Sequence, residues 1–192
     1  MAVHTRLGQC GVAIVAVAIL DLLSPAAATA ADANATASAT IQDSLTLTHI
    51  VEGNQGNIFF GSIVPGNSPG WVQIDPSEKK KKRLEYSGVT VLNPKWISDA
   101  HFLVRGDANR EYQIQIPSSL TIVSGPNSML VDSFLCCPES LGKEHGGWVY
   151  GTVGRLDRRG EDFLHVGATL HVGANQPGGF YEGEFTVTVA YQ

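Results

Sequence analysis

The sequence predicts an all-β protein, an antiparallel β-sandwich, and three observations predict it. Almost every apolar segment repeats with period two, the signature of a half-buried strand, and no convincing stripe of period 3.6 is present. Clusters of turn-forming residues separate these segments, drawing on 21 glycines and 9 prolines. The first thirty residues read as an export signal, which sets the fold in the context of a cleaved, secreted chain.

In that leader, Arg6 gives a short basic region, and Val12 to Leu20 form an uninterrupted apolar run. Asp21 breaks the run, and Ala28-Thr29-Ala30 supplies the small residues that signal peptidase requires. The expected cut lies between Ala30 and Ala31, with Ala26-Ala27-Ala28 as a second option. The alternative of a retained anchor is disfavoured because the uncharged stretch falls short of the roughly 20 residues that span a bilayer. Cys10 precedes the apolar run, so it is not a lipid-attachment cysteine. Cleavage after residue 30 of 192 leaves 162 residues, enough for one domain. The leader carries one charge of each sign, so the net charge stays at −5. An acidic chain does not select nucleic acid, and no later segment reaches membrane-spanning length.

The pattern after the cut begins with residues 31–43, an N-terminal extension or first strand. Ala33, Ala35, Ala37, Ala39 and Ile41 share one face, continued by Leu45 and Leu47. Asn34, Thr36, Ser38, Thr40 and Gln42 take the other. A sandwich domain over 44–192 follows. Its strands are expected at Ile58–Val64, Val72 and Ile74, Val89 and Val91, Phe102 and Val104, and Tyr112 to Ile116. Val166, Ala168, Leu170 and Val172 face inward, leaving His165, Gly167, Thr169 and His171 outward. The last strand sets Phe185, Val187, Val189 and Tyr191 against Thr186, Thr188 and Ala190. Turns fall at Pro65–Gly70, Gly106–Asn109, Gly125–Asn127 and Gln176–Gly179.

Catalytic spacings are missing: there is no nucleophile elbow, phosphate loop or paired-histidine zinc helix. His165 and His171 lie about 20 Å apart along a strand, too far to share a metal, and read as surface histidines. Glu182 and Glu184 read as solvent-facing spacers beside a Gly-rich turn. Asp157, Glu161 and Asp162 among Arg155, Arg158 and Arg159 read as a charged hairpin tip. Glu78 and the run Lys79–Arg83 have two readings, attachment to an anionic surface or a solvated hairpin. Lacking aromatics and balanced by Glu78 and Glu85, the run favours the hairpin. No catalytic, cofactor-binding or metal-ligating residue is assigned, and the chain is expected not to be an enzyme. The adjacent Cys136 and Cys137 allow a vicinal disulfide, a bridge to another chain or free thiols.

The ordered blocks Phe60–Gly66, Ala100–Gly106, Tyr112–Pro117, Met129–Phe134 and Val166–Val172 resemble a family of bacterial exported proteins of unknown function. Gln176, Gly179-Phe180-Tyr181, Gly183 and Phe185–Tyr191 complete the resemblance, which covers nearly the whole mature chain. That family is similar to archaic chaperone–usher pilus subunits and spore coat protein U domains, with immunoglobulin-like, pilin-like sandwiches. The resemblance implies a structural or adhesive subunit of a surface fimbria or envelope assembly, exported through the periplasm. Its partners would be copies of itself or related subunits, a periplasmic chaperone and an outer-membrane usher. A subunit open along one strand edge takes a strand from its neighbour. Here Phe185, Val187, Val189 and Tyr191 would form the assembly edge and Ala33 to Ile41 the donor. A self-contained secreted module binding a glycan or host protein is the alternative, through Trp71, Trp96 or Trp148.

Overall fold

The computed structural model describes residues 44–51, 56–77, 84–145 and 149–192. The signal peptide, the Ala30–Ala31 cut, the donor candidates Ala33 to Ile41, the Lys79–Arg83 run and Trp148 lie outside the described residues.

Twelve strands appear among the described residues: β1 (Thr46–Ile50), β2 (Ser62–Pro65), β3 (Gly70–Ile74), β4 (Leu84–Ser87), β5 (Val89–Leu92) and β6 (Ala100–Arg105), then β7 (Glu111–Gln115), β8 (Ser119–Ser124), β9 (Asn127–Pro138), β10 (Val153–Arg155), β11 (Glu161–Val172) and β12 (Thr188–Tyr191). One 3-10 turn, Pro94–Trp96, and one short helix, α1 (Glu139–His145), interrupt them. The helix follows Pro138 directly and has no apolar stripe in sequence to announce it. No described helix is long and apolar enough to cross a membrane.

β11 organises the larger sheet. Its first half, Glu161 to Val166, pairs with β6, and its last four residues pair with β3. Its other edge pairs with β9 from Leu164 to His171, with a register shift between Gly167 and Thr169. The strand order is β1-β6-β11-β3-β4, and the β8–β9 hairpin joins at β11. Gly167 sits at the shift because a Cβ there would lie 2.1 Å from the Ile74 carbonyl oxygen. Such a close backbone approach admits only glycine. The same contact buries Gly167 on the face expected to be outward, and Thr169 is buried with it.

A three-stranded sheet, β10-β7-β12, and the β2–β5 pair complete the sandwich. Alternation does the packing: Tyr112 and Ile114 of β7 are buried while Glu111, Gln113 and Gln115 are exposed. One core cluster gathers Phe102, Val104, Leu164 and Val166 of the large sheet with Tyr112, Ile114 and Val187. A second gathers Val72, Val91, Ile122, Val131, Leu170 and Val172. The protein is an all-β antiparallel sandwich.

The closing strand differs in extent from its expectation. Phe185, Val187, Val189 and Tyr191 do turn inward, but only Thr188–Tyr191 joins a ladder. Glu182 instead exchanges two backbone hydrogen bonds with Val123 of β8 (2.9 and 3.1 Å). The chain then crosses to β7, and the residues in transit belong to neither ladder.

Candidate functional site

β12 is an end strand. It pairs with β7 from Thr188↔Gln115 to Tyr191↔Tyr112, and among the described residues no strand pairs with its other edge. β1 is likewise an end strand of the larger sheet, and it touches β12 without laddering to it. Leu45 and Leu47 on one side and Phe185, Val189 and Tyr191 on the other are all half-buried against the same core cluster. The seam between these two strands is therefore apolar and incompletely covered.

The side chains of β12 are anchored by the fold itself. Phe185 packs against Phe134 and Phe102, with ring centroids 5.3 and 6.3 Å away. Tyr191 accepts a hydrogen bond from the Asp107 N–H at 2.6 Å, and the Arg110 guanidinium lies 4.0 Å over its ring. Arg110 is held in turn by Asp107 at 2.9 Å. Gly106 makes room for the phenol, since a Cβ there would meet the Tyr191 oxygen at 2.1 Å. With the side chains committed inward, what β12 offers a partner is its backbone edge.

A buried polar network ties the layers together. Tyr112 Oη donates to Asp162 Oδ2 (2.8 Å), as does Ser140 Oγ (2.6 Å), and the Ser140 N–H donates to Oδ1 (3.0 Å). Burial raises the Asp162 carboxyl above the usual carboxylate range, although the hydrogen bonds oppose this. Burial, reinforced by the Asp162 charge, also raises the Tyr112 phenol. Asp162 therefore does not belong to a charged tip. It shares the parity of Leu164 and Val166 on β11 and points into the core. Asp157 does form the tip, accepting the N–H groups of Arg159 and Glu161.

Of the two strand histidines, His171 is at the surface as expected and only His165 departs from expectation. His171 is half-exposed and lies 2.8 Å from Asp132, whose carboxyl it holds below the usual range. His165 is not a surface residue. It stands opposite His101 in the β6–β11 register, with ring centroids 4.6 Å apart. Asp99 Oδ2 lies 3.1 Å from His165 Nδ1 and 3.3 Å from His101 Nε2. Glu139 Oε1 lies 3.5 Å from the other His165 nitrogen. Sequence reasoning missed this cluster because it weighed His165 against His171 on its own strand, and not against residues on another.

Cys136 and Cys137, the vicinal candidates, are both buried and stand unbridged in this structure. They are consecutive in an extended strand, and period two sends them to opposite faces. Cys136 joins the core cluster of Val104 and Val166, whereas Cys137 does not. Burial pushes each thiol up to about 12, aided at Cys136 by its neighbour Cys137 and at Cys137 by Asp75 and Asp99.

Of the tryptophans, Trp71 is half-buried in β3, while Trp96 is 62% exposed on its 3-10 turn. An open depression of ≈ 350 Å³ is lined by Arg105, Gly106 and Glu161 among others. Two of its charges engage each other, Arg105 Nε with Glu161 Oε1 at 2.8 Å.

No curated protein and no solved structure matches the chain. Residues 50–191 match the family described as "Domain of unknown function (DUF4402)". That match runs from the last residue of β1 to the last residue of β12, so it takes in the histidine cluster and the β12 side of the seam but not Leu45 or Leu47, and the chain belongs to the DUF4402 family.

Proposed function

We propose that this protein is a non-enzymatic structural or adhesive subunit of a bacterial surface fimbria or related envelope assembly, polymerising by donor-strand complementation. The observation that carries this reading is the edge of β12, unpaired among the described residues, beside the half-buried seam of Leu45, Leu47, Phe185, Val189 and Tyr191. An edge of unpaired N–H and C=O groups next to apolar side chains is a template for one more strand. The chain carries a segment of matching period, Ala33 to Ile41, which a second copy would lay into the seam. A periplasmic chaperone and an outer-membrane usher are the partners such a subunit uses before assembly. Four alanines and one isoleucine bury modest area, so Ile41 supplies the main anchor.

The test uses a domain starting at Ser44 and a peptide covering Ala31 to Gln42. The truncated domain is expected to be destabilised or to self-associate, and the peptide to rescue it. A peptide at a hundredfold excess over its Kd adds about 2.7 kcal/mol, read as a shift in the urea midpoint. The same peptide with Ile41→Asp should be inert. A truncated domain that is stable, monomeric and indifferent to the peptide would sink the proposal.

A second reading has one observation in its favour, the exposure of Trp96. A turn that presents an indole to solvent suits a sugar face, as in a self-contained secreted module binding a glycan or host protein. Glycan-array binding by the monomer, lost on Trp96→Ala, is the result that reading predicts.

A further inference from the structure

We propose that Asp99, His101 and His165 form a binding site for one divalent transition-metal ion of the zinc class. The argument begins with distances. Asp99 Oδ2 stands 3.3 Å from His101 Nε2 and 3.1 Å from His165 Nδ1, and the three ligand atoms lie within 4.8 Å of one another. Zinc bound to nitrogen and oxygen at about 2.0–2.2 Å in a tetrahedron sets its ligand atoms about 3.3–3.6 Å apart. Two of the three separations already lie close to the edge of that tetrahedron.

Hydrogen bonding gives an independent indication. His165 Nδ1 shares a hydrogen bond with Asp99 Oδ2. His101 Nε2 approaches the same oxygen, yet it is buried and has no hydrogen-bond partner. A buried ring nitrogen without a partner is rare and calls for an explanation. A cation held by all three groups supplies one, because it uses the lone pair of each imidazole together with the carboxylate charge.

The scaffold favours a built site. His101 and His165 are directly opposed on adjacent antiparallel strands, which puts their side chains on one face. Asp99, two residues before His101, takes the same face by the period of the strand. The Asp99 side chain is 5% exposed and that of His165 is 14% exposed, so two of the three donors are fixed by packing. The His101 N–H is tied to the Gly56 carbonyl at 3.1 Å, which fixes the backbone of the third. Glu139 Oε1, 3.5 Å from His165 Nε2, stands where an orienting carboxylate meets the second nitrogen of a metal-bound histidine. Two imidazoles and one carboxylate suit zinc, cobalt, nickel or copper, whereas calcium and magnesium require more oxygen ligands. Three protein ligands also leave a coordination position for water.

The experiment uses the mature chain from Ala31, without a histidine tag, freed of metal by chelation. Calorimetric titration with Zn²⁺ should show one saturable equivalent and a higher Tm for the loaded protein. Co²⁺ should give the visible absorption of a four-coordinate nitrogen–oxygen site. His101→Gln is the decisive variant, because its nitrogen makes no hydrogen bond whose loss would disturb the fold. It should weaken Zn²⁺ binding at least tenfold with the circular dichroism unchanged, and Asp99→Asn and His165→Gln should do the same. Glu139→Gln should weaken binding by roughly 10–100-fold, the usual effect of losing an orienting partner. His49→Gln and His171→Gln should bind as the natural protein does. The proposal is overturned if the natural protein shows no saturable Zn²⁺ binding, or if His101→Gln binds with unchanged affinity.

Discussion

Asp162 is a carboxylate that accepts hydrogen bonds from a phenol, a hydroxyl and a backbone amide while almost wholly removed from water. Burial raises its carboxyl above the unfolded value of 3.8, so the folded state holds the proton more tightly than the unfolded chain does. The stability this confers is fully present below 3.8 and is lost as pH rises through the folded value. Asparagine does not titrate. Urea melts at a series of pH values should therefore show the advantage of Asp162 over Asp162→Asn greatest in acid and shrinking toward neutrality. A constant difference across the series would mean that burial does not set this proton's affinity. The residue's place was legible, though not from its neighbours. Arg155, Asp157, Arg158, Arg159 and Glu161 suggest a solvated tip, whereas counting in twos back from Val166 and Leu164 leads inward to Asp162. Local composition and strand parity disagreed, and parity won because β11 begins at Glu161, before the charged stretch is over.

At the scale of the element, β12 is a four-residue ladder held in place at both ends by side chains. Phe185 and Val187 precede the ladder and pack into the core, and Tyr191 fastens the far end to the turn after β6. Tyr191→Phe keeps the ring under Arg110 but leaves the Asp107 N–H without its acceptor. The expected cost is about 1 kcal/mol, measured as a lower urea midpoint with an unchanged slope. An unaltered midpoint would show that solvent replaces the phenol at no cost. Alternation revealed which way these side chains point, because it depends only on the strand's own period. It could not reveal where pairing begins. That depends on Glu182 first bonding to Val123, a contact between segments 59 residues apart in the chain.

For the whole molecule, the sandwich was legible because period-two patterning and turn clusters are local signals, repeated many times over. The histidine cluster was not. His101 and His165 meet only because β6 and β11 pair in one particular register, and no spacing within either strand encodes it. The same distinction governs how the chain reaches its fold. β11 starts at residue 161, yet it fills the place between β6 on one side, β9 on the other and β3 farther along. During synthesis from the N-terminus, all three partners exist before the strand that joins them. The early hairpins can form alone, but the sheet cannot close, and its strand edges stay open to wrong partners in the interval. Folding should accordingly be late and slow, timed by the arrival of one strand, and the nascent chain most in need of protection just before residue 172 is made.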